Sequence, residues 1–305
     1  MLSPLTATQD VEKLRTSQCH DIVIRWRNEF QIELGASFET IGEISLWRCN
    51  ASGLLWYEPG AAAGDENLYR QLQEIPWYYM SDKWEFRTAL TIIPKGARIV
   101  EIGIGFGYFL KMAREAGANA AGIELNAAAA AKAREAGFEV FTDDLESLSA
   151  SQLGQFDAAC SFQVLEHVSN PTAFIAGMIK LVKPGGLLIL SVPNAGVNAY
   201  LDPDDRDLLD QPPHHLSKWS RRTFEFLPTL LPIDVQKIQR EPLQSYHVDW
   251  YIDRTAARLE RAFGARISKA LINSFTRRIA RRVLRSRFSR IIPGHTLLVS
   301  FRVRQ

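Results

Sequence analysis

The spacing of apolar residues along this chain changes at a run of glycines. Residues 99–102 are a short, mostly apolar run with the pattern of a buried strand. The run stops at Gly103, Gly105 and Gly107, after which Phe109, Leu110, Met112, Ala113 and Ala116 recur at helical spacing. The alternation then continues. Residues 120–125 read as a strand and 127–136 as an alanine-rich helix. Residues 138–141 read as a strand, 145–153 as a helix and 156–162 as a short apolar strand suited to a covered parallel sheet. Asn170-Pro171 opens a helix, Lys183-Pro184-Gly185-Gly186 closes it, and a strand follows over 187–192. A helix over 220–231 and a final strand over 294–303 complete an α/β chain.

The flanks have different patterns. Residues 1–20 are polar and expected to be poorly ordered. Ile22, Ile24 and Trp26 alternate with Val23, Arg25 and Arg27, so residues 22–34 are expected as a strand, joining strands at 44–49 and 54–57 in a small antiparallel sheet. A linker over 59–64 leads to a helix at 66–75, the aromatic trio Trp77-Tyr78-Tyr79 and a helix from about Ser81 to Ile93. Near the other end, Ile267, Leu271, Phe275, Ile279 and Val283 recur every four residues within a basic stretch, predicting one amphipathic helix. The expected organisation is a β-rich extension (1–64), a core (65–250), a basic helical insertion (251–290) and the last core strand (291–305).

Charge sharpens the picture at that insertion. Residues 254–290 hold twelve lysines and arginines against Glu260 alone. This local +11 leaves −9 on the rest, since all 305 residues carry +2. Three readings stay open: a face packed on the acidic body, peripheral contact of 266–290 with an anionic membrane, or nucleic acid. A missing N-P-P-Y-type motif and the lack of a recognisable RNA-binding module argue against nucleic acid. The cysteines, Cys19, Cys49 and Cys160, are odd in number and widely spaced, which fits a reducing compartment and gives no paired zinc ligands. With no leader pattern and no run of 18 apolar residues, the expected location is the cytoplasm, with membrane-surface contact left open.

The glycine turn carries the chemistry. Glycines let the backbone take positive φ and bring main-chain N–H groups close to a ligand at a helix N-terminus. The dinucleotide fingerprint needs a third glycine three residues after the second, but here Gly105 is followed by Gly107, with Tyr108 in that third place. Glu124 ends the next strand, 17 residues past Gly107, placed to accept hydrogen bonds from a ribose diol. With Glu101 before the turn, the chain resembles the class I S-adenosylmethionine-dependent methyltransferases, whose first motif is an acid followed by G-x-G-x-G. Leu165-Glu166-His167-Val168 resembles the L-E-H-V motif of the group that includes ubiquinone-biosynthesis O-methyltransferases, and Pro212-Pro213-His214-His215 resembles the P-P-H-H segment of many small-molecule methyltransferases.

The resemblance implies a Rossmann-like, seven-stranded, mostly parallel sheet whose last strand is antiparallel and inserted between the fifth and sixth. It implies S-adenosyl-L-methionine as cofactor, with Glu101, Gly103, Gly105 and Gly107 around its methionine end and Glu124 on its ribose. Asp144, or Asp143 one residue earlier, would take the adenine amino group, and the Leu145 N–H would meet the ring. Ser161 and Gln163 would lie beside the methionine and the transferring methyl. Tyr79 or Tyr78 would approach the carboxylate, unless these aromatics only pack their helix. Asp144 equally suits a helix N-cap.

The candidate bases are His215 and His214, then His167, because imidazole titrates near neutral pH. Structural loop roles remain alternatives, as does a paired-histidine metal site with the loop aspartates; no metal is expected. The expected reaction is O- or N-methylation of a small or lipid-linked acceptor such as a sugar or quinone precursor. Its rivals are a cofactor-binding scaffold without catalysis, and a nucleic-acid or protein methyltransferase that uses the basic helix.

Overall fold

A computed structural model describes residues 1–304 and, at Ser149, the backbone alone. The chain opens with β1 (Val11–Gln18), so its polar lead-in is ordered as a strand. A helix, Cys19–Phe30, follows where a strand was expected. The period explains the difference. Cys19, Ile22, Val23 and Trp26 are the buried positions, a helical i, i+3, i+4, i+7 set, whereas Ile24 faces outward. β2 (Glu43–Cys49) and β3 (Leu55–Glu58) then pair antiparallel with each other, and β1 pairs antiparallel with β2.

The core follows as β4 (Arg98–Ile102), β5 (Asn119–Ile123), β6 (Glu139–Phe141), β7 (Phe156–Phe162) and β8 (Val182–Pro193), all in parallel register. A two-residue strand, β9 (Ser217–Lys218), pairs Ser217 with Trp56 and so ties the chain just after His214-His215 to the N-terminal sheet. β10 (Ile233–Pro242), a sixth core strand that no sequence pattern announced, is followed after the helical insertion by β11 (Pro293–Val303). β11 runs antiparallel between β8 and β10, giving the order β10-β11-β8-β7-β4-β5-β6. This is the expected seven-stranded arrangement.

Helices cover both faces of the sheet. On one, Ile99, Leu187 and Ile189 pack with Phe109 and Ala113 of the helix Tyr108–Glu115. On the other, Val100, Leu188 and Leu190 pack with Ile175 and Met178 of the helix Pro171–Leu181. β4 has β5 on one side and β7 on the other, so the connections leaving its carboxyl end diverge and open a crevice there.

The basic insertion is three helices rather than one: Val248–Phe263, Ala265–Leu271 and Ser274–Leu284. Gly264 has φ +85°, a conformation that a continuing helix does not accept. Asn273 then opens the third helix with a reciprocal capping box to Thr276. Among the described residues, no helix is long and apolar enough to cross a membrane.

Candidate active site

The turn after β4 is shaped by what surrounds it. At Gly103 (φ +78°), a Cβ would sit 2.6 Å from Cγ2 of Val164, a contact no side chain could make without displacing its neighbour. At Gly105 (φ +50°) it would reach 3.0 Å from the Tyr79 ring, which also packs on Phe106 with ring centroids 4.8 Å apart. Gly107 is the N-cap of the following helix. Glu124, just past β5, accepts from the Gly105 N–H (3.1 Å) and the Asn126 N–H (2.9 Å), which fixes its carboxylate beside the turn.

Glu101 differs. It is 2% exposed, its Oε2 has no hydrogen-bond partner among the described residues, and burial pushes its carboxyl well above the usual range despite Lys83. A buried carboxylate oxygen without a partner is costly. It gains one if a cation enters.

Glu101, Gly103, Gly105, Glu124, Tyr79, Leu145 and Gln163 share the wall of one cavity of about 1160 Å³ with His167, His214 and His215. Four other sequence candidates stand outside that wall. Gly107 caps its helix, and Ser161 is buried and donates to the Ile102 carbonyl at 3.2 Å. Asp144 caps the helix Leu145–Ser151, accepting from the Ser147 N–H at 2.8 Å, and that bond holds its carboxyl below the usual range. Asp143 is exposed beyond β6.

The histidine segment is clamped on both sides. The N–H groups of His214 and His215 both donate to the Gln211 carbonyl at 3.1 Å. Leu216 donates its N–H to the Glu166 carbonyl and accepts from the Tyr57 N–H of β3, both at 2.8 Å. The three imidazoles therefore meet, with centroids of His167 and His215 4.9 Å apart and those of His214 and His215 4.4 Å apart.

Hydrogen bonding sets His214 apart, and burial sets His167 apart. His214 Nδ1 donates to the Leu209 carbonyl (2.8 Å), and its Nε2 accepts from the Tyr78 hydroxyl (2.7 Å), so both nitrogens are occupied. His167 Nδ1 donates to the His214 carbonyl at 2.5 Å, and burial lowers this imidazole to a pKa of about 3. Burial also takes His214 well below its ordinary value. His215 Nδ1 donates to Asp210 Oδ1 (3.3 Å), leaving Nε2 as the acceptor, 3.9 Å from Glu166 Oε1. Burial would raise the Asp210 carboxyl, but the buried Lys218 ammonium 2.9 Å away, with His215, holds it below the carboxylate range.

Asp210 is the member that the sequence did not single out, whereas Glu166 belongs to the L-E-H-V tract beside His167. Glu166 is 1% exposed, neither of its oxygens has a hydrogen-bond partner among the described residues, and burial lifts its pKa to about 8. The spacing from Asp210 to His215 gave no signal of a pair, because nothing in a polar loop marks which carboxylate turns inward. A second group also reaches the cavity: His247, His295, Trp250 and Arg254. Five of the six histidines thus line one space. Nitrogens of His167, His214 and His215 lie within 4.8 Å of one another, a spacing a metal ion can bridge. His214 would first have to give up Tyr78 or Leu209, so a three-histidine site is not preformed.

A methyltransferase-domain family model matches residues 72–259, more than half of the chain. The chain belongs to the class I S-adenosylmethionine-dependent methyltransferases. The ubiquinone biosynthesis O-methyltransferase of Xanthomonas axonopodis pv. citri is 33% identical over 151 residues, which is 48% of this chain and 59% of that protein. The protein of the same name from Methylococcus capsulatus is 36% identical over 112 residues, 35% of this chain and 47% of its own length. The chain thus spans about half the length of the curated relatives it matches. Among solved structures, an S-adenosylmethionine-dependent methyltransferase from Mesorhizobium loti superposes with a TM-score of 0.47 at 21% identity, over 73% of this chain and 100% of that one.

The cofactor of this family is S-adenosylmethionine, and the residues present fit it. It is a sulfonium with an ammonium group, and the unpartnered Glu101 oxygen offers a cation its partner. Gly103 and Gly105 line the same cavity as Glu101, and a side chain at either would push Val164 or Tyr79 out of its place in that wall.

Proposed function

We propose that this protein methylates an oxygen of a small or lipid-linked, quinone-like acceptor, with His215 as the general base. When bound, S-adenosylmethionine supplies an electrophilic methyl group. The protein's own tasks are to hold the acceptor oxygen in line and to remove its proton, as expected where alignment supplies much of the rate. The observation that carries the reading is the line Asp210–His215–Glu166 in the same cavity as the glycine turn.

In that line, Asp210 accepts from Nδ1 and fixes the tautomer, so the lone pair of Nε2 faces the cavity. Lys218 keeps Asp210 ionised, and Asp210 offsets the charge the imidazole gains on taking the acceptor's proton. Glu166, protonated at neutral pH, can hydrogen-bond the acceptor oxygen from the other side. The relatives' names supply the quinone-like acceptor class, and the mixed aromatic and polar lining is compatible with it.

The test is His215→Ala assayed with a panel of catechols, hydroquinones and sugars. Turnover should fall about 100-fold or more, while S-adenosylhomocysteine affinity, measured by calorimetry, stays unchanged. Unchanged turnover with an accepted substrate would remove the base assignment. Failure of every acceptor while the cofactor still binds would favour a scaffold.

A further inference from the structure

The three-helix insertion has two unlike sides. On the inner side, Val248 and Ile252 are buried with Leu243, and Ala280, Leu284 and Ile292 pack against that cluster. Arg254 pairs with Asp207, Arg261 with Asp204, Arg277 with Asp253, and Arg281 and Arg285 with Asp249. Arg254 and Arg261 thus meet acids of the loop before the histidines, while Arg277, Arg281 and Arg285 meet acids of the insertion's own first helix.

The outer side is unsatisfied. The helix Ser274–Leu284 has no buried residue. Phe275, Ile279 and Val283, at i, i+4 and i+8, are 70%, 49% and 44% exposed. Arg278 and Arg282 lie between them on the same face by helical spacing. Just beyond, Phe288 and Ile291 are exposed, the latter by 80%, as are Ile267 and Leu271 on the preceding helix. Among the described residues, Arg266, Lys269, Arg278, Arg282, Arg287 and Arg290 form no salt bridge.

We propose that residues 263–291 dock this protein on an anionic lipid surface, with the Phe275–Ile279–Val283 stripe inserted and the free arginines on headgroup phosphates. The occupant follows from the combination. Nucleic acid would take the arginines but leave the large apolar side chains in water. A second copy would cover the apolar side chains but bring uncompensated arginines together. An anionic interface accepts both, since apolar faces enter the acyl boundary while arginine stems snorkel to phosphate. The first helix of the insertion also sends Trp250 and Arg254 into the cavity wall, so the docked face belongs to a unit that reaches the acceptor space. The proposal does not depend on which acceptor is methylated or on His215.

The test is sedimentation of the full chain with vesicles of phosphatidylglycerol and phosphatidylcholine in equal parts, against phosphatidylcholine alone, at low and at 0.5 M salt. Binding to the anionic vesicles, weakened by salt and absent with the neutral ones, is expected. Two variants separate the contributions: Phe275→Ser/Ile279→Ser/Val283→Ser and Arg278→Glu/Arg282→Glu. Each should lower the bound fraction at least fivefold while circular dichroism and S-adenosylhomocysteine binding stay unchanged, because every substituted side chain is exposed. The proposal is overturned by any of four results: no binding of the wild type, equal binding to neutral vesicles, wild-type binding by both variants, or concentration-dependent self-association that the serine variant abolishes without vesicle binding.

Discussion

Asp210 accepts a hydrogen bond from His215 Nδ1 at 3.3 Å, and this contact directs the other ring nitrogen toward Glu166. The loop holding both residues is tied to β3 through Leu216 and through the pairing of Ser217 with Trp56. The N-terminal sheet therefore acts at the site without contributing a reacting group: it sets the position of the histidine loop.

Asp210→Asn should show that tautomer control matters. An amide can offer its N–H to Nδ1 and stabilise the wrong tautomer, so turnover should fall about 100-fold or more, the range of a lost general base. Cofactor affinity should not change. The check is steady-state kinetics beside calorimetry; equal turnover would show that His215 does not depend on this partner.

His214→Ala should act on stability first. It strips the Leu209 carbonyl and the Tyr78 hydroxyl of buried partners, a loss of about 1–3 kcal/mol. Its melting temperature should therefore drop more than that of His215→Ala. A larger loss of turnover in folded His214→Ala than in His215→Ala would reverse the two roles.

Stability should fall as pH rises across the neutral range. Burial raises the Glu166 pKa to about 8 and that of Glu241 to about 7, so the fold favours their protonated forms. That contribution is complete below pH 4.5, the unfolded value, and is lost as pH passes 7 to 8. His167 and His247, held neutral at about 3 by burial, act oppositely, costing stability as pH drops below 6.5. Glu166→Gln should flatten the alkaline limb in melts taken from pH 5 to 9; an unaltered slope would mean that Glu166 does not titrate there.

Glu101→Gln should separate folding from binding. Removing the charge of a buried carboxyl whose Oε2 has no partner among the described residues should leave the apoprotein's melting temperature unchanged or raise it. S-adenosylmethionine should bind about 10- to 100-fold more weakly, as expected for loss of a hydrogen bond to a charged group. Calorimetry and differential scanning fluorimetry on the same samples would decide it. Undiminished affinity would place the cation elsewhere.

The core sheet was legible because its signals are local. The run 99–102, three alternating glycines and a helical period are set by neighbouring residues, and Glu124 falls at the next strand's end by chain length alone. Where the local signal was two-sided, it misled. Residues 19–30 carry both an alternating set through Ile24 and a helical set through Val23, and burial against Phe38 and Leu72 selects the second. The fourfold repeat from Ile267 to Val283 has the spacing of one helix, but Gly264 and the capping box at Asn273 divide the insertion.

By itself the sequence determined the strand–helix alternation from β4 to β8, the glycine turn and the group of methyltransferases to which the chain belongs, because strand, turn and helix within thirty residues are specified by short-range chemistry. Only the tertiary structure decided which carboxylates turn inward, which imidazole has both nitrogens bonded, and which basic residues remain unpaired. Those outcomes depend on burial and on partners far apart in sequence, such as Tyr78 with His214 and Arg281 with Asp249. Hydrogen bonding and desolvation act through distances that only the folded chain defines.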